Sequence, residues 1–182
     1  MKEAFTHKSL LILGRGIGQV MFQNNALSGL LMLIGIFLNS WQMGLLAVSG
    51  NIISTLTARI SGYDCDDIKN GLYGFNGTLV GIAVGVFMHL TVNSLILMAI
   101  ASCASTYIAR FFNMQRMLPG FTTLFILSVW MLLGLCSWLM PDMLLVSDTE
   151  TPASSSINYL QCFSMSIGQV MFQGNIMTGL FF

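Results

Sequence analysis

The heptapeptide Ile17-Gly18-Gln19-Val20-Met21-Phe22-Gln23 occurs twice in this chain, and the second copy occupies residues 167–173. The copies start at positions 17 and 167, 150 residues apart, a period far longer than the roughly 20–50 residues of solenoid repeats. The similarity continues as NNALSGL at 24–30 and GNIMTGL at 174–180. A long duplication in an apolar chain is typical of membrane proteins built from two structural repeats. We therefore expect one complete repeat, followed at 159–182 by a truncated second one.

The composition predicts an integral membrane protein. Apolar residues make up 55% of the chain, charged residues 8%, and the mean hydropathy is +0.78. A soluble domain carries about 25% charged residues, so these few charges could not cover a water-facing surface. The formal net charge is zero, which argues against nucleic acid as a partner because phosphate contacts require an excess of Lys and Arg.

No pattern in the chain indicates an enzyme, a metal site or a cofactor. The cysteines lack metal-ligand spacing and are interpreted as small apolar residues. The acidic run at 64–67 lacks the spaced oxygen ligands of a calcium loop, and the glycines at 14–18 fail the dinucleotide pattern because Gln19 replaces its last glycine. The two histidines have no catalytic partner at a recognisable spacing. The residues considered are Cys65, Cys103, Cys136, Cys162, His7 and His89.

Five apolar segments precede the second copy of the heptapeptide, at 17–38, 41–58, 78–90, 92–109 and 118–140. A helix needs about 20 residues to cross the hydrocarbon core, and the third segment is short. The glycine-rich run at 71–77 comes just before it, and broken backbone at membrane depth must be shielded by protein or face a wet cavity. We therefore expect an all-α fold in which residues 17–140 form five transmembrane helices and a re-entrant helix near 71–77.

The positions of the basic residues predict the topology. Lys and Arg occur only near the N-terminus, in the second loop and in the fourth loop, which five crossings place on one side of the membrane. The positive-inside rule assigns that side to the cytoplasm. Residues 1–16 then form a cytoplasmic interfacial segment, and 141–158 form an external linker. An odd number of crossings also gives the two repeats opposite orientations. The basic residues are Lys2, Lys8, Arg15, Arg59, Lys69, Arg110 and Arg116.

The polar side chains within the apolar segments are uncharged and gather at the two heptapeptide copies and the glycine-rich run. An amide in hydrocarbon costs a few kcal/mol unless it is hydrogen-bonded. Bonds between helices would explain any one of them. Their clustering beside aromatic residues favours instead a path for a small, neutral, planar solute, since a cation would require acidic rings or carbonyl cages. The polar residues are Gln19, Gln23, Asn24, Asn25, Asn76, Thr78, Thr122, Thr123, Gln169, Gln173 and Asn175.

Three motifs resemble those of the urea transporter family: GQVMFQNN at 18–25, GLYGFNGTLVG at 71–81 and LPGFT at 118–122. They occur in the family's order over almost the whole chain, although Leu124 replaces the second proline of the third motif. The resemblance implies a passive, channel-like path for urea in the cell membrane. It also implies a homotrimer in which each protomer has its own pore, made of two inverted halves that each carry a re-entrant helix.

The resemblance also places the pore lining. Gln19 and its repeat mate Gln169 would bond urea at the two ends of the path, Phe22 and Phe75 would flank the flat solute, and Leu79 would line the constriction. Thr122 would offer its hydroxyl there, and the second repeat would contribute Val170 and Phe172. Two alternatives stay open: a channel for another small neutral solute such as ammonia, a short amide or water, and a membrane subunit that does not conduct.

Overall fold

The structure is a computed structural model that describes residues 2–115, 122–145, 159–174 and 176–182. Within these ranges the regular structure is helical apart from one isolated bridge between Met88 and Leu144, which confirms the all-α fold. The helices are α1 (Lys2–Gly18), α2 (Ala26–Asn39), α3 (Trp41–Ile60), α4 (Cys65–Lys69), α5 (Gly74–Phe87), α6 (Val92–Gln115), α7 (Thr123–Leu139), α8 (Tyr159–Gln169) and α9 (Ile176–Phe181).

The first apolar segment is a broken pair of helices, so the expectation of one continuous span at 17–38 is wrong. α1 begins at Lys2 and ends at Gly18, and α2 begins only at Ala26. Between them a short 3-10 turn, Gln19–Met21, ends at Phe22 in the left-handed region, with φ of 57°. Asn25 then caps α2 by accepting a hydrogen bond from the Leu27 N–H at 2.9 Å. The two arms meet at 76°, because the left-handed residue redirects the chain.

The expected re-entrant helix and third span form a single helix instead. α5 runs from Gly74 to Phe87, and the residues just before it make a turn in which Gly71 has φ of +76°. At 14 residues, α5 is about 21 Å long, shorter than the roughly 30 Å hydrocarbon core. The expected boundary between the re-entrant helix (71–77) and the third span, near residue 78, is therefore wrong, because α5 continues through it. A short helix fits because α5 is surrounded by protein: Gly74–Val84 are buried.

Glycines bring α5 against α3 at backbone contact. A Cβ on Gly77 would collide with the carbonyl of Gly50, and a Cβ on Gly81 would collide with the carbonyl of Leu46. Only residues without a side chain allow two helix backbones to approach so closely. The glycine-rich run therefore serves two purposes: it forms the turn before α5, and it allows α5 to pack closely on α3.

Length and composition identify two helices able to cross a membrane, α3 and residues 92–112 of α6, among the residues that the structure describes. The bent pair of α1 and α2 makes a third if it acts as one span, while α5 and α7 are shorter apolar helices. The chain is thus a multi-pass membrane protein, and the count of five spans stays a prediction. The start of the fifth expected segment, 118–121, lies outside the described residues.

Five basic side chains lie at the same end of the molecule, which we call the basic end: Lys8, Arg15, Arg59, Lys69 and Arg110. The first four line one pocket, and Arg110 stacks on the ring of Tyr63, 5.2 Å from its centroid, in the loop after α3. At the other end, the Leu145 N–H donates to the Phe87 carbonyl at 2.9 Å. The clustering agrees with one-sided placement of the basic loops. Arg116 and most of the expected linker, 146–158, lie outside the described residues.

Candidate functional site

The first interruption, residues 19–25, docks onto the chain just before α5. The Gln19 Nε2 donates to the Asn70 carbonyl at 3.0 Å, and the Asn24 Nδ2 donates to the Asn70 Oδ1 at 3.0 Å. Asn70 itself is the C-terminal cap of α4. The amide of Gln19, half-buried in this contact, thus lies beside the start of the buried helix.

The second interruption, between α8 and α9, has the same backbone geometry as the first. Phe22 and Phe172 both have φ of 57°. The Gln23 N–H donates to the Gly18 carbonyl at 3.0 Å, and the Gln173 N–H donates to the Gly168 carbonyl at the same distance. The duplicated sequence is therefore a duplicated local fold.

The helix crossings beside the two interruptions also correspond. A Cβ on Gly29 of α2 would strike the carbonyl of Gly14, and a Cβ on Gly179 of α9 would strike the carbonyl of Ser164. Gly179 follows Gly29 by 150 residues and Ser164 follows Gly14 by 150 residues, the same distance that separates the two heptapeptides. In both repeats the second helix thus crosses the first one turn before the interruption.

The second interruption packs at the far end of α5. The Phe172 ring lies 5.7 Å from that of Phe87, the last residue of α5, and 6.5 Å from that of Phe125 in α7, both edge to face. The Gln173 amide is fully buried, and its Oε1 accepts from the Asn39 Nδ2 at 2.6 Å. The first interruption contacts the chain before α5 and the second contacts its last residue.

Of the eight residues expected to line the path, three join one packed cluster. Phe75 and Leu79 are 9% and 1% exposed, and Phe172 packs against the cluster that contains them. Gln19 lies beside the start of α5. Cavities of 460 and 520 Å³ lie between α6 and α7 and beside α1, and neither is lined by Phe75 or Leu79.

The other four expected residues are not drawn into that cluster. Phe22 is 67% exposed, Val170 is 49% exposed and Gln169 is also exposed. Thr122 is half-buried directly before α7, where its carbonyl accepts from the Ile126 N–H at 3.1 Å. The preceding residues of its motif, 118–121, lie outside the described residues.

Asn51 holds α5 in place and was not among the expected site residues. It is fully buried in α3, and its Nδ2 lies 2.9 Å from the Thr78 Oγ1 of α5 and 3.2 Å from the Leu13 carbonyl of α1. Its Oδ1 accepts from Thr55 at 3.3 Å. A lone amide in the middle of an apolar segment was the signal that could have identified it.

Asn76 carries a buried amide that makes no hydrogen bond with the described residues. It follows Phe75 in α5, is 0% exposed, and neither its Nδ2 nor its Oδ1 has a partner. An unpaired buried amide costs about 1–3 kcal/mol. Such a group beside the expected path is able to bond a small polar solute or a water molecule.

The acidic run 64–67 is a helix cap. The Asp64 Oδ1 accepts from the backbone N–H groups of Asp66 and Asp67 at 2.8 and 3.1 Å. The bond from Asp67 and then that from Asp66 hold the pKa of Asp64 below its usual value, because both stabilise the carboxylate. No group of three His, Cys, Asp or Glu suited to a metal occurs in the ranges that the structure describes.

Comparison with known proteins gives one family. A family model described as "Urea transporter" matches residues 10–182. Urea transporter 1 of Mus musculus is 43% identical over 75 residues, which are 41% of this chain and 20% of that protein. The proteins of the same name from Rattus norvegicus and Ovis aries are 44% and 41% identical over 73 residues. These matches cover about a fifth of each relative's length, 20%, 19% and 19%.

Proposed function

The chain belongs to the urea transporter family, and on that premise we propose that it forms part of a passive path for urea across the cell membrane. The observation that carries the proposal is the position of α5. This short, buried helix has one copy of the duplicated interruption beside its start and the other beside its last residue. Two matching interruptions at the ends of a short buried helix support a protein-lined path, because broken backbone within a membrane must be buried in protein or line a wet cavity.

Urea is flat, with four N–H donors and one oxygen acceptor in a single plane. Phe22 and Phe75 flank this plane in a slot, while Leu79 forms an apolar constriction that rejects hydrated ions. The side-chain oxygens of Gln19, Gln169 and Thr122 accept N–H bonds along the way, and Val170 and Phe172 complete the wall from the second repeat. Several weak, similar sites favour flow over tight binding.

The two repeats are related by inversion in this proposal. The inversion is supported by the contacts of the two interruptions with opposite ends of α5. Repeats of parallel orientation would place both interruptions at the same depth. The path then lies on the shared interface near the bilayer midplane. The basic end faces the cytoplasm together with the N-terminus, and three copies assemble with one path each.

Gln19 is the residue whose replacement tests the path. We expect Gln19→Leu in the full-length protein to reduce urea flux in proteoliposomes roughly two- to twelvefold, the effect of one lost hydrogen bond of about 0.5–1.5 kcal/mol. Gln23→Leu is the matched control, because Gln23 is an exposed amide of the same motif and should leave the flux unchanged. If both variants assemble normally and conduct urea equally well, Gln19 does not line the path, and the proposed slot is contradicted.

The same proteoliposomes identify the solute. Flux of urea, acetamide and ammonia is compared in the unchanged protein. Urea should pass fastest, because Phe22 and Phe75 match its plane and its four donors find acceptors in turn. After the flux through protein-free liposomes is subtracted, faster passage of ammonia would assign the path to another small solute, and no remaining flux of any of the three would indicate a subunit that does not conduct.

A further inference from the structure

Asn70 contacts the first interruption on both sides of its left-handed residue. The Asn70 carbonyl accepts from the Gln19 Nε2 at 3.0 Å, and its Oδ1 accepts from the Asn24 Nδ2 at 3.0 Å. Gln19 precedes Phe22, which has φ of 57°, and Asn24 follows it. One residue thus holds the chain before and after the point at which it changes direction.

The place of Asn70 in the fold explains why its carbonyl accepts this bond. Asn70 is the C-terminal cap of α4, and the last carbonyls of a helix have no partner within that helix. The preceding carbonyl, that of Lys69, accepts from the Arg15 Nη1 at 3.2 Å. Arg15 and Gln19 are four residues apart (19 minus 15), about one helical turn. Two successive carbonyls of α4 therefore meet the end of α1 and the turn that follows it.

Glycine allows the end of α4 to lie this close to α1. Gly71 follows Asn70 directly and has φ of +76°, and a Cβ on Gly71 would collide with the backbone nitrogen of Gly16. A side chain at position 71 would therefore strain the turn and push the Asn70 carbonyl away from Gln19. Backbone packing and hydrogen bonds together set the distance across this contact.

The bond to Asn70 sets which atom of the Gln19 amide is directed at a solute. A backbone carbonyl only accepts hydrogen bonds, so the amide nitrogen of Gln19 faces Asn70. Because the amide group is planar, its Oε1 then points to another side. Urea offers four N–H donors, and an amide turned over would present N–H groups that only the single urea oxygen accepts. The orientation of this amide therefore decides how well it suits a donor-rich solute.

We propose that Asn70 is a positioning residue of the path, which holds the Gln19 amide so that Oε1 meets the solute. The inference rests on the proposed function, in which Gln19 lines the path. Asn70 acts through Gln19 and Asn24 and does not itself contact the solute. Residue 174 is glycine where the first repeat has Asn24, so the second interruption has no side-chain amide at the matching position.

The experiment compares urea with acetamide in proteoliposomes of the full-length protein, after the flux through protein-free liposomes is subtracted. Urea has N–H donors on both arms and meets the Gln19 oxygen in either orientation, whereas acetamide has them on one arm. A loss of folded protein lowers both fluxes in proportion and leaves their ratio unchanged. We expect Asn70→Ala to lower the ratio of urea flux to acetamide flux about threefold, within the range of one hydrogen bond.

Three further variants separate positioning from stability. Asn24→Ala removes the same side-chain bond from the other partner, so it should lower the ratio equally and tests the proposal even if Asn70→Ala folds poorly. Asn70→Asp keeps an Oδ1 acceptor for the Asn24 amide and should restore the ratio. Asn25→Ala is the control, because it removes the cap of α2. It should lower the thermal unfolding midpoint and leave the ratio unchanged.

A double variant shows whether Asn70 acts through Gln19. In a Gln19→Leu background, Asn70→Ala should not lower the ratio further, because the amide that it positions is absent. An additive loss there, an unchanged ratio in Asn70→Ala and Asn24→Ala, or an equal fall in Asn25→Ala would each overturn the proposal. If the unchanged protein passes no urea, the proposed function is contradicted together with this inference. If urea flux depends on Gln19 but the ratio does not depend on Asn70, only this inference fails.

Discussion

At the residue scale, one buried amide joins three helices. Asn51 lies between the Leu13 carbonyl, the Thr78 hydroxyl and the Thr55 hydroxyl, and a Cβ on Gly16 or Gly74 would collide with it. Its side chain therefore sets how α1 and α5 sit on α3. Because Phe75 and Leu79 belong to α5, Asn51 acts on the proposed path by positioning those residues.

Replacing Asn51 should therefore weaken the protein more than replacing an exposed amide of the same helix. We expect Asn51→Leu to lower the free energy of unfolding by about 1–2 kcal/mol, since hydrogen bonds between membrane helices contribute up to roughly that amount. Gln42→Leu is the control, because Gln42 is exposed on α3. Thermal unfolding in detergent measures both, and equal midpoints would show that the bonds of Asn51 contribute nothing.

The paired phenylalanines provide a second prediction at this scale. Phe22 and Phe172 have the same left-handed φ, which glycine adopts without strain. Phe172 also packs edge to face on Phe87 and Phe125, contacts that contribute about 0.5–1.5 kcal/mol each. The Phe22 ring is 67% exposed, so Phe172→Gly should destabilise the protein by about 1 kcal/mol or more beyond the loss in Phe22→Gly, as measured by denaturant unfolding. An equal loss in the two variants would contradict the packing role of Phe172.

At the element scale, the contact between α3 and α5 decides where the buried helix lies. Gly77 faces the backbone of Gly50, and a Cβ at position 77 would also approach the Ser54 hydroxyl. α5 is so close to α3 that a methyl group at this position has no room. A displaced α5 would carry Phe75 and Leu79 with it.

Gly77→Ala should accordingly destabilise the protein by about 2 kcal/mol or more, in the range of overpacked cores, and reduce urea flux. Gly134→Ala should be neutral or stabilise α7 by up to about 1 kcal/mol, because among the described residues no atom beyond its own turn of helix lies within 4 Å of its added Cβ and alanine is the better helix former. The two variants make the same chemical change in two helices. Similar unfolding midpoints for the two variants would show that the close contact with α3 does not explain the glycine at position 77.

At the scale of the whole molecule, the clustering of basic residues at one end predicts a fixed orientation. Cys65 is exposed in α4 beside that end, and Asp142 follows α7 at the other end. In a Cys162→Ser background, an impermeant maleimide should label Cys65 only from the cytoplasmic side. A cysteine introduced by Asp142→Cys, with Cys65→Ser, should react only from outside. Labelling of both from the same side would contradict the topology and the inverted repeats.

Hydropathy predicted the long spans well and the interrupted ones poorly. The expected segments 41–58 and 92–109 correspond to α3 and α6, which end at Ile60 and Gln115. The expectation of one continuous helix over 17–38 fails because the break depends on a left-handed Phe22 and on the Asn25 cap, local geometry that an apolar run conceals. The expected boundary within 71–90 fails because a helix buried in protein needs no membrane-length apolar stretch.

The sequence by itself determined that this is an apolar, duplicated chain of the urea transporter family, because composition, repeat spacing and motifs are properties of residue order alone. Only the tertiary structure decided that α5 is one short helix with an interruption at each end. It also decided that Asn51 joins three helices and that four cations share one pocket. These features arise from contacts between residues distant in the chain, such as Gln19 with Asn70 and Phe172 with Phe87, and no local pattern encodes which distant residue a side chain meets.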